Sequence, residues 1–554
     1  MVVLETRHSQ LEKYVGKKVS VKELEEVLFN LGFELERVEG DELRIEITAE
    51  RPDLLSTQGL ARALRSYFGL KVKPYKIEKS GKKVIVKNPA KEWPLAVAAI
   101  VKGLKLDEKK IKEIIRIQEK LGETFLRQRK KGGLGLYPLE RITFPVMFTA
   151  EDPKGIVFRP LEYGDEINGL EVLERHPTGK KYRHILEAKG RCWERFPVFR
   201  GADNVVLSMP PIINAHDVGK VDANTREVFV ECTGIDLKTI TLALEILVGA
   251  LIDMGGKAYS IEVGYNKKNV TSPDFKEEQR KIKIEYINKI LGSDFKAKDV
   301  KRLLQKMGYA VKSLKKKEIV VVVPGTRYDI WHDVDIVDDV ARAYGFNNFE
   351  PRIKPVFTEG ETTRSVKVKE ELSGIMIGLG YQEVFTLVLS SRQDQFENMN
   401  VKQVPHLNLG RSVEQSVNMP RVWLLPELMK CLKNNRSVEY PQKIFEINQV
   451  IVPDETKDVK CKDVLKLCVV LCHSGANFTE MKQVLEYVMR CLDLKCSLKE
   501  SEHGSFISGR AARVTVNNKD VAEVGEVHPK VLSNFGLEMP VVVLELDLSE
   551  LFGL

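Results

Sequence analysis

The chain has 554 residues, 43% apolar and 30% charged, with 87 basic and 79 acidic side chains giving a formal charge of +8. That length exceeds what one hydrophobic core organises and points to about three to four domains, which excludes a single small binding module. The composition excludes a disordered or collagenous chain, and the modest positive excess permits a nucleic-acid partner without demanding one.

The N-terminus MVVLETRHSQ has no basic region followed by an apolar core, so no secretory signal is expected. The first predicted element is an amphipathic helix with Leu24, Val27, Leu28 and Leu31 at helical spacing, stopped by Gly32. A strand follows at Leu43, Ile45 and Ile47, then Arg51-Pro52-Asp53, then a second helix ending at Gly69. Residues from about 90 to 265 mix strands and turns, with GADNVVLSMPPIIN and REVFVECTGID as distinctive runs, enough for an independent α+β domain. The apolar stretch Thr241 to Gly255 carries Glu245 and Asp253 and falls short of the ~20 residues of a bilayer span, so no membrane helix is expected.

Residues 297–346 then repeat residues 21–70 without a gap, 276 positions on. Leu28 matches Leu304, Gly32 matches Gly308, Arg51 matches Arg327, Asp53 matches Asp329 and Gly69 matches Gly345. Each copy reads as helix, strand hairpin, loop, helix. Residues 352–361 read as an extended linker. Beyond it come a helix (VKVKEELSGIMIGLGY), strands (EVFTLVLS, KIFEINQVIV, VLKLCVVLC, AARVTVN, VVVLELDL) and another helix (FTEMKQVLEYVMRCL), a sheet flanked by helices. The eight cysteines form no CxxC pair and read as reduced thiols.

Few residues suggest chemistry. Asp335, Asp338 and Asp339 share one helix face, and with Asp329 they form an oxygen-only set suited to Mg²⁺. The alternative is that they only complement the helix dipole. The first copy has Asp53, Gly59, Arg62 and Ala63 at these positions, so the scaffold folds without the extra acids. In the middle domain Ser208, Asn214, Glu231 and Thr233, beside PPIIN and ECTG, offer either the polar lining of a selective pocket or mere strand punctuation. His184 reads either as a group that orients water or a nucleic-acid 3′ end, or as a packing residue. No GxSxG, HExxH, GxxxxGK[ST] or GxGxxG occurs, so neither a covalent mechanism nor a nucleotide loop has support. Arg411 and Gly509-Arg510 do not assemble an ATP site and read as structural or interface residues.

In order along the chain, ERPDLLSTQGLARAL, LSMPPIIN, GTRYDIWHDVDIVDDVARAYGF, KIFEINQVIV and GRAARVTVNNKDVAEVGEVHPKVLSNFGL together resemble one family over nearly the whole length. It is the beta-subunit family of phenylalanyl-tRNA synthetase, in its archaeal and eukaryotic cytosolic form. The resemblance implies a multidomain α+β fold: two related helix-hairpin-helix domains (1–85 and 269–350) flank an α+β editing domain (86–268), followed by a catalytically degenerate class II synthetase-like antiparallel sheet domain (351–554). It implies a cytoplasmic α2β2 heterotetramer that joins phenylalanine to its tRNA, with ATP bound by the alpha subunit and no membrane partner. It also implies Mg²⁺ at Asp329, Asp335, Asp338 and Asp339.

The same resemblance implies an editing pocket that hydrolyses tyrosine wrongly attached to the phenylalanine tRNA. Its text matches Ser208, Pro210, Pro211, Asn214, Glu231, Thr233 and Gly234, with Phe199 as a wall and His184 as a further candidate. Glu231 is expected to meet the tyrosine hydroxyl, and Thr233, Asn214 or backbone amides to serve the water and oxyanion. Two other classes stay open on the residues alone: a nucleic-acid-binding scaffold without catalysis, and a free-standing hydrolase of aminoacyl-tRNA.

Overall fold

In the computed structural model, which describes residues 2–554 apart from 189, 267, 352, 354, 355, 413 and 415, the chain divides into two units, Met1–Ile353 and Lys354–Leu554. The first unit begins with β1 (Val2–Arg7), α1 (His8–Val15), α2 (Val21–Leu31), β2 (Glu34–Glu39), β3 (Glu42–Ile47) and α3 (Thr57–Tyr67). The strands form a sheet in the order β1-β3-β2. Ser20 caps α2 by accepting from the Glu23 amide, and Ser56 caps α3 by accepting from that of Gly59. Helix α2 stops at Gly32, whose φ of +85° suits a residue without Cβ.

The central part contains β4 (Ile77–Val86), β5 (Leu95–Lys102), α4 (Glu108–Glu123), β6 (Gly132–Pro138), β7 (Val146–Glu151), β8 (Phe196–Arg200), β9 (Val206–Met209), β10 (Ile213–Asn214), β11 (Val228–Gly234), α5 (Leu237–Asp253), β12 (Lys257–Gly264) and β13 (Asn269–Ser272). Their sheet runs β10-β9-β8-β7-β4-β12-β5-β11-β6, with β13 added on β12. Strand β4 is parallel to both its neighbours. The apolar stretch of the sequence is α5, buried from Ile240 to Leu251 apart from its flanks and packed on β5 and β11. Among the described residues no helix is long and apolar enough to cross a membrane. The domain limits expected at 85/86 and 268/269 need correction, because β4 straddles the first and β13 pairs with β12 beyond the second.

The second repeat comprises β14 (Glu278–Lys283), α6 (Ile284–Leu291), α7 (Ala297–Lys306), β15 (Ala310–Leu314), β16 (Glu318–Val323) and α8 (Asp333–Tyr344), with sheet order β14-β16-β15. Both copies therefore have one topology, and the helix-hairpin-helix reading was incomplete. Each begins with a strand and a helix, 2–15 and 278–291, again 276 residues apart. Gly16 and Gly292 close the added helices in the left-handed conformation at that same spacing, the signal that would have revealed them.

The second unit contains α9 (Arg364–Gly378), β17 (Gln382–Glu383), α10 (Leu425–Asn434), β18 (Gln442–Pro453), β19 (Cys461–Cys472), α11 (Phe478–Cys491), β20 (Cys496–Glu500), β21 (Phe506–Val516), β22 (Lys519–Val527), α12 (Pro529–Phe535) and β23 (Val541–Asp547). Its sheet runs β17-β18-β19-β23-β22-β21-β20, antiparallel except where β17 meets β18. Alternation along β19 sends Leu467, Val469 and Leu471 to a core shared with α9 and α11, and Cys468, Val470 and Cys472 to one shared with α10 and α12. The strand expected through EVFTLVLS is confined to Gln382–Glu383 and Leu389–Ser390, with Phe385 and Leu387 exposed between them. The expected linker 352–361 lies partly outside the described residues.

Candidate functional site

The two edge strands of the central sheet, β10 and β6, meet. The side chain of Asn214 on β10 donates to the Leu136 carbonyl on β6 at 3.3 Å, and its Oδ1 lies 3.1 Å from the hydroxyl of Tyr137. That hydroxyl also lies 3.1 Å from Oε1 of Glu231 on β11. At this seam Glu231 and Thr233 share one face of β11, two residues apart. Their partners in register are small: Gly135 and Gly133 on β6, Ala98 and Ala96 on β5. The glycines on β6 let the Tyr137, Glu231 and Pro211 side chains crowd close at this seam. Pro211 roofs Gly133, since a Cβ there would meet the Pro211 ring, while one at Gly135 would meet Glu231 and Tyr137.

Three buried polar atoms at this seam have no hydrogen-bond partner: Oγ of Ser208, Oε2 of Glu231 and Oγ1 of Thr233. Orphaned buried atoms are costly unless a ligand or water meets them. Burial pushes the Glu231 carboxyl up to about 8 and lifts the Tyr137 hydroxyl well above its ordinary range, an effect the neighbouring Glu231 charge reinforces. Tyr137 has one proton and two acceptor oxygens at 3.1 Å, with the Ser208 hydroxyl nearby partly offsetting the rise. With Glu231 protonated at neutral pH, the chain closes when Glu231 donates to Tyr137 and Tyr137 donates to Asn214. Oε2 of Glu231 then remains an acceptor aimed at a ligand's donor.

The structure thus brings together Ser208, Pro211, Asn214, Glu231 and Thr233 of the residues singled out in the sequence. Phe199 lies opposite Ser208 in the β8–β9 ladder and stacks on Phe148 at 4.8 Å, as core beside the site. Gly234 serves close packing, because a Cβ there would collide with the Lys131 carbonyl. His184 is a correction: it sits exposed in the short helical turn Arg183–Ile185 and makes no hydrogen bond to this group among the described residues. Tyr137 and Gly135 were missed, although the glycine-rich run GGLGLYP held their signal.

The acids of the second repeat line a cavity of about 320 Å³ together with Glu50, Arg51, Tyr328, Trp331 and Arg342. Each already has protein partners. Arg327 forks onto Asp329 at 2.8 and 2.6 Å and reaches Oδ2 of Asp339 at 2.8 Å, which also accepts from Tyr309 at 2.6 Å. Oδ2 of Asp335 accepts from the amides of Trp331 and His332, and Oδ2 of Asp338 from Arg342. Among the described residues no three acidic, histidine or cysteine side chains are placed to hold an ion as they stand. The donor set still fits a hard cation, because four carboxylates share one cavity and Oδ1 of Asp335, Asp338 and Asp339 has no donor among the described residues. Asp329, with both oxygens on Arg327, is the one least available.

Three family models match the chain: the Phe-tRNA synthetase beta subunit B1 domain over residues 1–70, the tRNA synthetase B5 domain over 280–346, and the phenylalanyl tRNA synthetase beta chain CLM domain over 351–548. The two repeats and the second unit are thus domains of synthetase beta chains. The chain is 36% identical over 552 residues to the phenylalanine–tRNA ligase beta subunit of Pyrococcus abyssi, covering 98% of each chain. It is 35% identical over 558 residues to that of Methanocella arvoryzae, covering 100% of each. A crystal structure of an N-terminal fragment of the phenylalanyl-tRNA synthetase beta subunit from Pyrococcus horikoshii matches with a TM-score of 0.58 and 32% identity, covering 62% of this chain and 99% of the fragment. The chain belongs to the phenylalanine–tRNA ligase beta subunit family.

Proposed function

We propose that the chain works in the cytoplasm as the beta subunit of a phenylalanine–tRNA ligase, in an α2β2 assembly whose alpha subunit binds ATP and attaches phenylalanine to tRNA, and that the Glu231 pocket hydrolyses tyrosine wrongly attached to that tRNA. The observation that carries the editing reading is the trio of orphaned buried polar atoms above small residues at the sheet seam. Oε2 of Glu231 accepts the phenol hydroxyl of a tyrosyl group. A phenylalanyl group leaves it unpaired, which is how a site built for a hydroxyl rejects the analogue lacking one. Thr233, about 7 Å further along the strand, orients the water that adds to the ester carbonyl. The bond to the ribose oxygen then breaks, releasing tyrosine and a free tRNA 3′ hydroxyl.

The second unit supports a class II synthetase-like core without catalysis, its mainly antiparallel sheet packed by helices on both faces. At the second repeat, Asp335, Asp338 and Asp339 would hold Mg²⁺, with Asp329 held in place by Arg327. The ion would supply positive charge that neutralises this acidic face. The test of the function is the ligase assembled with a matching alpha subunit: Glu231→Ala spares phenylalanylation and lets Tyr-tRNA accumulate. Unchanged deacylation of Tyr-tRNA in that variant would sink the assignment.

A further inference from the structure

The segment between α4 and β6 reads Thr124-Phe-Leu-Arg-Gln-Arg-Lys-Lys131, four basic side chains in five positions. Arg127, Gln128 and Arg129 are all left-handed, with φ of 51°, 54° and 61°. Three consecutive non-glycine residues in that region are costly, and such strain persists only where the surroundings impose it. Here the end of α4 imposes it. The amides of Gln128 and Arg129 donate to the carbonyls of Glu123 and Gly122 at 3.0 and 2.8 Å, and that of Lys131 to Leu126 at 3.0 Å.

The segment is also fixed to the pocket. Arg129 donates to the carbonyls of Pro211 and Ile212 at 3.0 and 2.9 Å, and lies over the Tyr182 ring at 4.2 Å. It therefore holds the roof residue that faces Gly133. The Lys131 carbonyl accepts from the Ile235 amide at 3.2 Å, just past Thr233 on β11. Arg127 and Lys130, by contrast, are exposed, and among the described residues neither they nor Lys131 pair with a carboxylate.

Distance along β11 makes sense of this arrangement. From Glu231 to Ile235 is four residues, about 13 Å, with Thr233 midway. A tyrosyl ester whose hydroxyl meets Glu231 has its carbonyl near Thr233, so its ribose and the first phosphates come out beside Lys131. We propose that the segment Arg127–Lys131 is a preorganised cationic clamp for the single-stranded phosphodiester backbone at the tRNA acceptor end, with Arg127, Lys130 and Lys131 meeting phosphates and Arg129 a positioning residue that locks the clamp to the pocket roof. This rests on the editing reading above.

The experiment uses the assembled ligase and two substrates, Tyr-tRNA and 3′-O-tyrosyl adenosine, which has no phosphodiester. In Arg127→Ala/Lys130→Ala, both positions exposed, the kcat/KM on Tyr-tRNA relative to tyrosyl adenosine falls about tenfold through KM, and the salt slope of binding to a short RNA ending in CCA shallows by about 1.4, or ~0.7 per lost contact. Lys130→Glu, a single exposed change, moves both readouts the same way. An unchanged ratio and slope in a ligase that still hydrolyses both substrates overturns the clamp and leaves the pocket standing. An equal loss on both substrates overturns it as well, since the segment then acts only on the pocket. If the unsubstituted ligase hydrolyses neither substrate, the pocket reading fails first and the clamp with it.

Discussion

The guanidinium of Arg342, on the last helix of the second repeat, donates to the carbonyl of Leu31 at 2.5 Å and fills the space over Gly32 in the first. The relationship has a counterpart 276 residues away: Gly308 faces Ser66, which occupies the position of Arg342 in the other copy. The two repeats thus grip each other through matching contacts, each placing the glycine that ends one helix against the final helix of its twin. Only one side of the pair carries a long charged side chain, so the two glycines are not equivalent.

That asymmetry sets the first prediction. Gly32 and Gly308 both have φ near the left-handed region, +85° and +88°, where a Cβ costs about 1–2 kcal/mol. A Cβ at Gly32 also collides with the Arg342 guanidinium, whereas one at Gly308 finds Ser66 at 3.6 Å. Gly32→Ala is expected to lower the thermal unfolding midpoint clearly more than Gly308→Ala; equal midpoints would refute the contact's importance.

Arg327 supplies the second. Its side chain and that of Asp339 are 4% and 5% exposed, and Tyr309 and Asp329 complete the network. Burial works to raise the Asp329 carboxyl, but the Arg327 hydrogen bonds and charge outweigh it and hold the carboxyl below its ordinary value. Arg327→Ala strands a buried carboxylate and is expected to cost about 3–5 kcal/mol in denaturant unfolding. Because Asp329 is depressed, its share of the stability is present above its ordinary value of 3.8 and fades as pH falls below it. The loss in the variant should therefore shrink in acid, and a pH-independent loss would contradict the ion pairing.

Magnesium gives the third. If Asp335, Asp338 and Asp339 hold the ion, Mg²⁺ raises the unfolding midpoint of the chain and a chelator lowers it, while Asp338→Ala with Asp339→Ala removes the response and weakens assembly with the alpha subunit in gel filtration. An unchanged midpoint on adding Mg²⁺, with the assembly intact in the double variant, would leave these acids as partners of arginines and helix amides only.

The repeat and its 276-residue spacing were legible in the sequence because each copy keeps the same apolar and glycine spacing, whereas the polar set Ser208, Asn214, Glu231 and Thr233 stayed open on spacing alone and was singled out by the family resemblance. The leading strands were not legible, since Glu278–Lys283 is mostly polar and shows little alternation to mark a buried face. Tyr137 was illegible for a different reason. Its bonds to Asn214 and Glu231 cross 77 and 94 residues and exist only because the sheet curls until its edges meet. The acids are a different case: the sequence placed Asp335, Asp338 and Asp339 on one face, while Arg327, which engages Asp329 and Asp339, comes from the loop before the helix, and Arg342, which engages Asp338, from the helix itself.

The fourth prediction concerns the proton on Glu231. Its folded value of about 8 stands above an ordinary 4.5 because burial disfavours the charge. Between those two pH values the unfolded chain releases the proton and the folded chain keeps it, so Glu231 opposes folding increasingly across that window and constantly beyond it. Glu231→Gln removes this term. Below pH 4.5 the variant and the parent should unfold alike, and by pH 9 the variant should be the more stable by a few kcal/mol. A difference that does not grow with pH would mean that Glu231 is ionised in the folded chain.

The last prediction separates pocket from scaffold without touching a polar group. Gly135 sits in register with Glu231, and a methyl group there would lie 2.5 Å from the Tyr137 hydroxyl and overlap the Glu231 carboxyl. Because φ at Gly135 lies outside the positive region, alanine carries no backbone strain there, and its effect is confined to the space it fills. Displacing Glu231 and Tyr137 by even an ångström misaligns the ester against its water, and losses of about 10²-fold follow such shifts. Gly135→Ala is therefore expected to cut Tyr-tRNA deacylation by that order while phenylalanylation by the assembled ligase stays intact, because the proposed assembly has its aminoacylation site in the alpha subunit. Retained deacylation would show that the space above Gly135 is not where the tyrosyl group binds, and a parallel loss of phenylalanylation would show that the substitution damages the assembly rather than the pocket.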